Sequence, residues 1–187
     1  MIREKSIESF GRYWMFVWRV FSRPERLRVY GKRFVDEVAK LGIDSIPLVI
    51  VISIFIGAVI TIQMQLNITS PLIPAYSVGL ATRDIVLLEF SNSILCLILA
   101  GKVGSNIASE IGTMRISQQL DAIDMMGINS ASFVARPKIL AATVTSPLLT
   151  ILSIVLGLVG GGLITWLTGM IPLVKYLTGL RYAFNAY

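Results

Sequence analysis

Residues 108–128, ASEIGTMRISQQLDAIDMMGI, place charged and amide side chains at helical spacing between two of the most apolar stretches of the chain. Charged groups cost free energy at membrane depth, so the segment predicts a contact surface outside the apolar layer. Ile116, Leu120 and Ile123 stand at i, i+4 and i+7 and form one apolar face. We therefore predict a short amphipathic helix at about 113–127, ended by Gly127. Its polar residues are Arg115, Gln118, Gln119, Asp121 and Asp124, with Glu110 just before it.

Several kinds of enzyme are excluded by composition. The sequence has no histidine, which removes serine–histidine chemistry together with the commonest metal ligand and proton shuttle. No pair of aspartates lies within an apolar run. Gly101-Lys102 resembles part of a phosphate-binding loop, but Cys96 stands where that motif has its first glycine and Val103 follows the lysine. We predict a non-catalytic chain that binds no metal and no cofactor itself.

Two charges bracket a short uncharged core of 12 residues, 90–101. Glu89 precedes it and Lys102 follows it. Intramembrane charges normally face a bundle interior or a wet cavity, so Glu89 is the candidate for a substrate pathway. The alternative is a structural role, as the partner of Arg83 or of a charge on another protomer.

The elements that must position these residues are membrane helices. The chain is 55% hydrophobic and 15% charged, and residues 45–82 and 139–174 are uncharged runs of 38 and 36 residues. A span needs about 20 apolar residues. We predict an all-α polytopic membrane protein in which residues 45–187 form the transmembrane domain. The predicted spans are about 46–66, 84–112 and 139–166.

Small residues recur every four positions along the second span. Such spacing lets helix backbones approach closely, which predicts that this span lies centrally in a bundle. The residues of this stripe that we assign to helix packing are Ala100, Gly101, Gly104 and Ala108.

The N-terminal residues 1–44 predict amphipathic helices in the membrane interface, with Phe10, Trp14 and Phe21 on one face. They hold ten of the 17 lysines and arginines, beside the first span. That position favours lipid headgroups over nucleic acid as the partner. Because 102–138 is the next most basic loop, we predict that the N-terminus and this loop are both cytoplasmic.

The run from Glu89 to Thr150, which includes LAGKVGSNIASEIGTMRISQQLDAIDMMG, resembles the MlaE family of ABC-transporter permeases over about 60 residues. Phe90-Ser91-Asn92 departs from that family's Leu-Gly-Pro, Lys102 replaces an arginine, and Gln118 stands where the family often has glutamate. The residues that match the pattern are Glu89, Gly101, Lys102, Gly104, Ser105, Glu110, Gly112, Met114, Arg115, Gln119, Leu120, Met126 and Pro137.

The resemblance implies the inner-membrane permease of an ABC transporter that moves phospholipid between membranes. It implies a permease homodimer, ATPase subunits that bind the ATP and Mg²⁺, and an MCE-domain substrate-binding protein on the far side. Family members usually have five transmembrane helices, two more than are predicted here. Residues 113–127 would be the coupling helix. The residues implied in ATPase coupling are Glu110, Gly112, Met114, Arg115, Gln119, Leu120, Asp121 and Met126.

Two other functions remain open from the residues. An ion-coupled channel or secondary transporter would use Glu89 and Lys102 as its intramembrane charges, but would not require the polar helix at 113–127. A structural membrane assembly subunit would need neither. Co-purification with an ATPase distinguishes the permease from both.

Overall fold

The computed structural model describes residues 8, 10–15, 17–18, 20, 27–68, 73–169 and 171–182. Throughout these residues the regular structure is helical and there is no strand, which confirms the all-α prediction. Phe21 and part of the 67–77 turn lie outside the described residues. The elements are α1 (Leu27–Gly42), a 3₁₀-helix (Ile43–Ser45), α2 (Ile46–Asn67), α3 (Ser77–Ile85), a π-helix (Val86–Ile94), α4 (Leu95–Ile116), α5 (Gln119–Met125), α6 (Ser130–Thr168) and α7 (Leu173–Arg181).

Three helices of the described chain are long and apolar enough to cross a membrane, as the sequence predicted. They are Gly31–Asn67, Ser77–Ile116 and Ser130–Thr168. Helix α2 starts at the first residue of the predicted first span, but the second and third helices begin seven and nine residues before the predicted spans. Uncharged runs mark the apolar layer, whereas backbone hydrogen bonding continues into the polar residues on either side.

The second long helix changes its hydrogen-bonding pattern part-way. Between α3 and α4, Val86–Ile94 is a π-helix, and the Leu95 N–H donates to the carbonyl of Phe90, five residues back. π-Helical turns are rare in proteins overall, and many of those that occur lie at functional sites. Glu89 lies on this segment and is exposed.

The chain divides into two compact units, of which the first comprises residues 1–44 and 101–145 and the second 45–100 and 146–187. In the second unit, Gly57 of α2 meets Gly157 of α6 so closely that a Cβ on Gly57 would overlap the Gly157 carbonyl oxygen. A Cβ on Gly160 would likewise overlap the backbone of Ile54. Glycine thus permits the close approach of these two helices.

Buried hydroxyls and leucines complete the interior of the second unit. Ser53 Oγ donates to Ser153 Oγ at 2.8 Å, and Ser91 Oγ lies 3.5 Å from the same oxygen. All three serines are fully buried. Leu95 and Leu99 of α4 pack with Val49 and Leu149, so α4 buries leucines in this unit.

The small-residue stripe of α4 lies open among the described residues. A Cβ built on Gly101, Gly104 or Gly112 would meet nothing within 4 Å, and Ala100 and Ala108 are exposed. In the described part of the chain, the close approaches between helices occur at glycines of other helices instead. The helix-packing role of Ala100, Gly101, Gly104 and Ala108 stays a prediction.

The described residues between 8 and 20 are helical and carry an aromatic surface. Phe10, Trp14 and Trp18 expose 68%, 62% and 71% of their area. This exposure is typical of a helix that lies in a membrane interface. The interfacial position of the segment remains a prediction.

Candidate functional site

Two bent connections join α4, α5 and α6 in the first unit. Helix α4 ends at Ile116, and Gln118 adopts a left-handed conformation with φ 57° before α5 begins. Gly127, at φ 76°, ends the short helix, and Asp124 Oδ1 accepts the Ser130 N–H at 3.1 Å as α6 begins. We call residues 117–129 the α5 segment. The single helix predicted over 113–127 is therefore wrong, because the chain turns at Gln118.

The turn at Gln118 also rearranges the predicted apolar face. Leu120 and Ile123 are half-buried, but Ile116 ends the preceding helix and is 87% exposed. Met125 and Met126 are 90% and 67% exposed. Two consecutive exposed methionines suit a protein interaction surface, because methionine adapts its shape to a partner.

The remaining residues predicted for ATPase coupling fall into two environments. Arg115 forms an exposed ion pair with Asp121 at 2.7 Å that bridges the turn, and Gln119 is exposed. Exposed pairs of this kind contribute about 0–1 kcal/mol to stability. Gly112 and Met114 are half-buried on α4. Glu110 points elsewhere, into a charged network.

That network is centred on Lys138, which the sequence reasoning did not select. The Lys138 side chain is 3% exposed, and its Nζ donates to Glu37 Oε1 at 2.7 Å and to Glu110 Oε2 at 2.6 Å. Lys40 Nζ lies 3.8 Å from Glu110 Oε1. One buried ammonium therefore joins α1, α4 and α6 through two carboxylates.

A cavity of about 430 Å³ adjoins the network. Its walls include Glu37, Glu110 and Lys138, together with Met114 and Gln119 at the α5 end. The cavity thus lies where α1 faces α4 and α6, next to the charged contacts.

One signal could have drawn attention to Lys138. It is the last charge before the 36 uncharged residues of the third span, and it follows Pro137 of the motif. A lysine at the edge of an apolar span is expected to pair with an acidic side chain. Its two partners are 101 and 28 positions away in sequence, so only the fold identifies them.

Glu89 forms no hydrogen bond or ion pair with any other described residue, and its side chain is exposed on the π-helix. Arg83 instead donates to Asp84 Oδ1 at 2.9 Å and to the carbonyls of Leu180 and Tyr182. The suggested pairing of Glu89 with Arg83 is not formed, whereas a contact on another protomer stays open. The described residues contain no group of three or more histidine, cysteine or acidic side chains placed to hold a metal ion.

Comparison with known proteins establishes the family. The model of the family described as permease MlaE matches residues 34–187. The chain belongs to the MlaE permease family. This confirms the resemblance read from residues 89–150.

Relatives of this MlaE-family chain are named as transporter permeases. A probable ABC transporter permease protein of Rickettsia bellii is 29% identical over 161 residues, which cover 84% of this chain and 60% of the relative. One from Synechocystis is 30% identical over 148 residues, 76% of this chain and 54% of the relative. The intermembrane phospholipid transport system permease protein MlaE of Haemophilus influenzae is 26% identical over 156 residues, which cover 83% of this chain and 59% of the relative.

The chain thus spans about three fifths of the length of the MlaE-family relatives it matches. The match includes the part of α1 from residue 34 onward, the α5 segment and the residues of the Lys138 network. It also includes Glu89.

Proposed function

We propose that this chain acts in the permease of an ABC transporter that carries phospholipid between membranes, and that ATPase subunits bind it at the α5 segment. The single observation that carries the proposal is the family match over residues 34–187, since a relative with that name transports phospholipid between membranes. We place the chain in the inner membrane, with the N-terminus and the α5 segment in the cytoplasm. The reason is that the basic residues concentrate in residues 1–44 and 102–138.

The α5 segment has the features that a motor contact requires. It is short, it is joined by tight turns to two membrane-length helices, and it carries the exposed Met125 and Met126. A closing ATPase that holds this segment would move the attached helix ends as a rigid body. We infer that Ile116 and Met125 enter the ATPase surface, with Leu120 and Ile123 supporting α5 from within.

The other partners follow from the same proposal. ATP and Mg²⁺ would be bound by the ATPase, the permease would act as a homodimer, and an MCE-domain protein would exchange lipid on the far side. Glu89 is the proposed pathway residue, since an exposed carboxylate without a partner in the described chain is free to meet a lipid headgroup.

The test is co-purification of the ATPase with the membrane-embedded transporter. Met125→Asp places a charge in the proposed contact without disturbing the packing of this chain, because Met125 is 90% exposed. Leu120→Asp probes the supporting face. We expect both variants to insert normally and to lose the ATPase.

Val35→Asp is the matched control, because it makes a similar change at a residue of α1 that is 62% exposed and lies outside the α5 segment. It should retain the ATPase. If Met125→Asp and Leu120→Asp retain it equally, the proposed contact is wrong. Wild-type chain that inserts but never captures an ATPase would favour the ion-coupled channel or the structural subunit.

A further inference from the structure

We propose that Lys138 is a positioning residue that fastens α1 to the helices carrying the α5 segment, so that force applied to α5 also moves α1. This inference rests on the proposed function and adds a route for the motion. It concerns Lys138, Glu37 and Glu110, of which only Glu110 was selected from the sequence.

The geometry makes α1 part of the moving element. Glu37 belongs to α1, Glu110 to α4 and Lys138 to α6, and the two Nζ–oxygen distances are 2.7 and 2.6 Å. Glu37 is 9% exposed and the Lys138 side chain 3%. Water and salt therefore screen the Lys138–Glu37 contact far less than they screen a surface pair, whereas the Glu110 side chain is 33% exposed.

A second contact joins the same two helices, α1 and α6. The guanidinium of Arg33 lies 3.6 Å from the ring centroid of Phe133, a cation–π geometry. Arg33 and Glu37 are four residues apart and so lie on one face of α1. Phe133 and Lys138 are both in the first turns of α6.

Stability alone does not account for a buried lysine with two carboxylates. Removing charges from water costs several kcal/mol per ion, and apolar residues of similar volume often stabilise a fold as well. Fixing the register of one element against another is the best-attested use of such pairs. That role fits the geometry here, because the Lys138 ammonium contacts carboxylates on two other helices at 2.7 and 2.6 Å.

The principal test is Glu37→Gln in the assembled transporter. This change keeps the side-chain shape, leaves Lys138 paired with Glu110 and leaves Lys40 3.8 Å from Glu110. It therefore removes only the negative charge that α1 contributes. We expect normal assembly with the ATPase and normal ATP hydrolysis, with at least about fivefold less phospholipid transferred per ATP, which is the lower end of typical coupling between sites. Asp36→Asn is the matched control, since it neutralises the neighbouring, exposed acid of α1.

A second variant separates positioning from simple charge balance. Glu37→Gln combined with Lys138→Met removes both deeply buried charges and leaves Glu110, whose side chain is 33% exposed, 3.8 Å from Lys40. Replacing a buried ion pair by uncharged side chains is often neutral for stability. We expect the double variant to bind the ATPase and to show the same loss of transfer per ATP.

Two results would overturn the inference. One is transfer per ATP at the wild-type ratio in either the Glu37→Gln or the double variant, and the other is an equal loss in Asp36→Asn. Absence of ATP-dependent transfer by the wild-type complex would instead count against the proposed function itself.

Discussion

The crossing of α2 and α6 at Gly57 and Gly157 makes a quantitative prediction for Gly57→Ala. The new Cβ would overlap the Gly157 carbonyl oxygen and lie 2.6 Å from the carbonyl carbon. Restoring a carbon–carbon contact of about 3.5 Å requires the helices to separate by at least roughly 0.9 Å, and the closer contact with the oxygen requires more. A gap of that size loses about a quarter to a half of the dispersion energy of each atom pair it opens.

Backbone atoms cannot rotate away from the new methyl group, so the cost falls on the packing of the whole crossing. Overpacking of this kind typically costs about 1–3 kcal/mol. The matched control is Gly104→Ala, where a Cβ would meet nothing within 4 Å and where alanine gains about 1 kcal/mol of helix propensity. Gly57→Ala should therefore lower the free energy of unfolding, whereas Gly104→Ala should leave it unchanged or raise it.

The assay is unfolding of the purified chain in mixed micelles by titration with denaturing detergent. We expect Gly57→Ala to lower the midpoint and Gly104→Ala to leave it unchanged or raise it. Equal midpoints for the two variants would refute the reasoning, because the α2–α6 crossing would then have room that the structure does not contain.

The remaining predictions concern polar groups. Glu89→Gln should reduce lipid transfer in reconstituted vesicles while the complex with the ATPase stays intact; unchanged transfer would assign Glu89 a structural role. Ser153→Ala removes the acceptor of the Ser53 hydroxyl and should lower the free energy of unfolding by about 0.6 kcal/mol, the average for hydrogen bonds within membranes. Ser93 is an exposed serine, and a larger loss of stability in Ser93→Ala would contradict this. Tyr176→Phe removes a hydrogen bond to the Leu158 carbonyl at 3.1 Å and should cost about 1 kcal/mol, measured in the same titration.

The membrane helices were predictable because charged side chains are costly in an apolar layer, so a spanning helix appears in the sequence as a long uncharged run. Uncharged runs of 38 and 36 residues leave few alternatives to a helix that spans the membrane. Helix ends were less predictable, since α4 and α6 continue through polar residues such as Glu110 and Lys138.

The contacts of the site depend on features that local sequence does not encode. Gln118 turns the chain with a positive φ, a conformation uncommon outside glycine, asparagine and aspartate. The Lys138 network joins residues that are 101 and 28 positions apart. The stripe that includes Gly104 has the spacing of a packing face, but spacing alone does not identify which helix, if any, lies opposite.

The contact between the α5 segment and an ATPase can be measured with a single cysteine at Met125→Cys, in a chain whose native Cys96 is replaced by serine. Position 125 is 90% exposed, so a thiol there will react readily with a membrane-impermeant reagent. We expect labelling from the cytoplasmic side only, and protection of the thiol once the ATPase is bound. Labelling from the opposite side, or full reactivity in the assembled transporter, would contradict it.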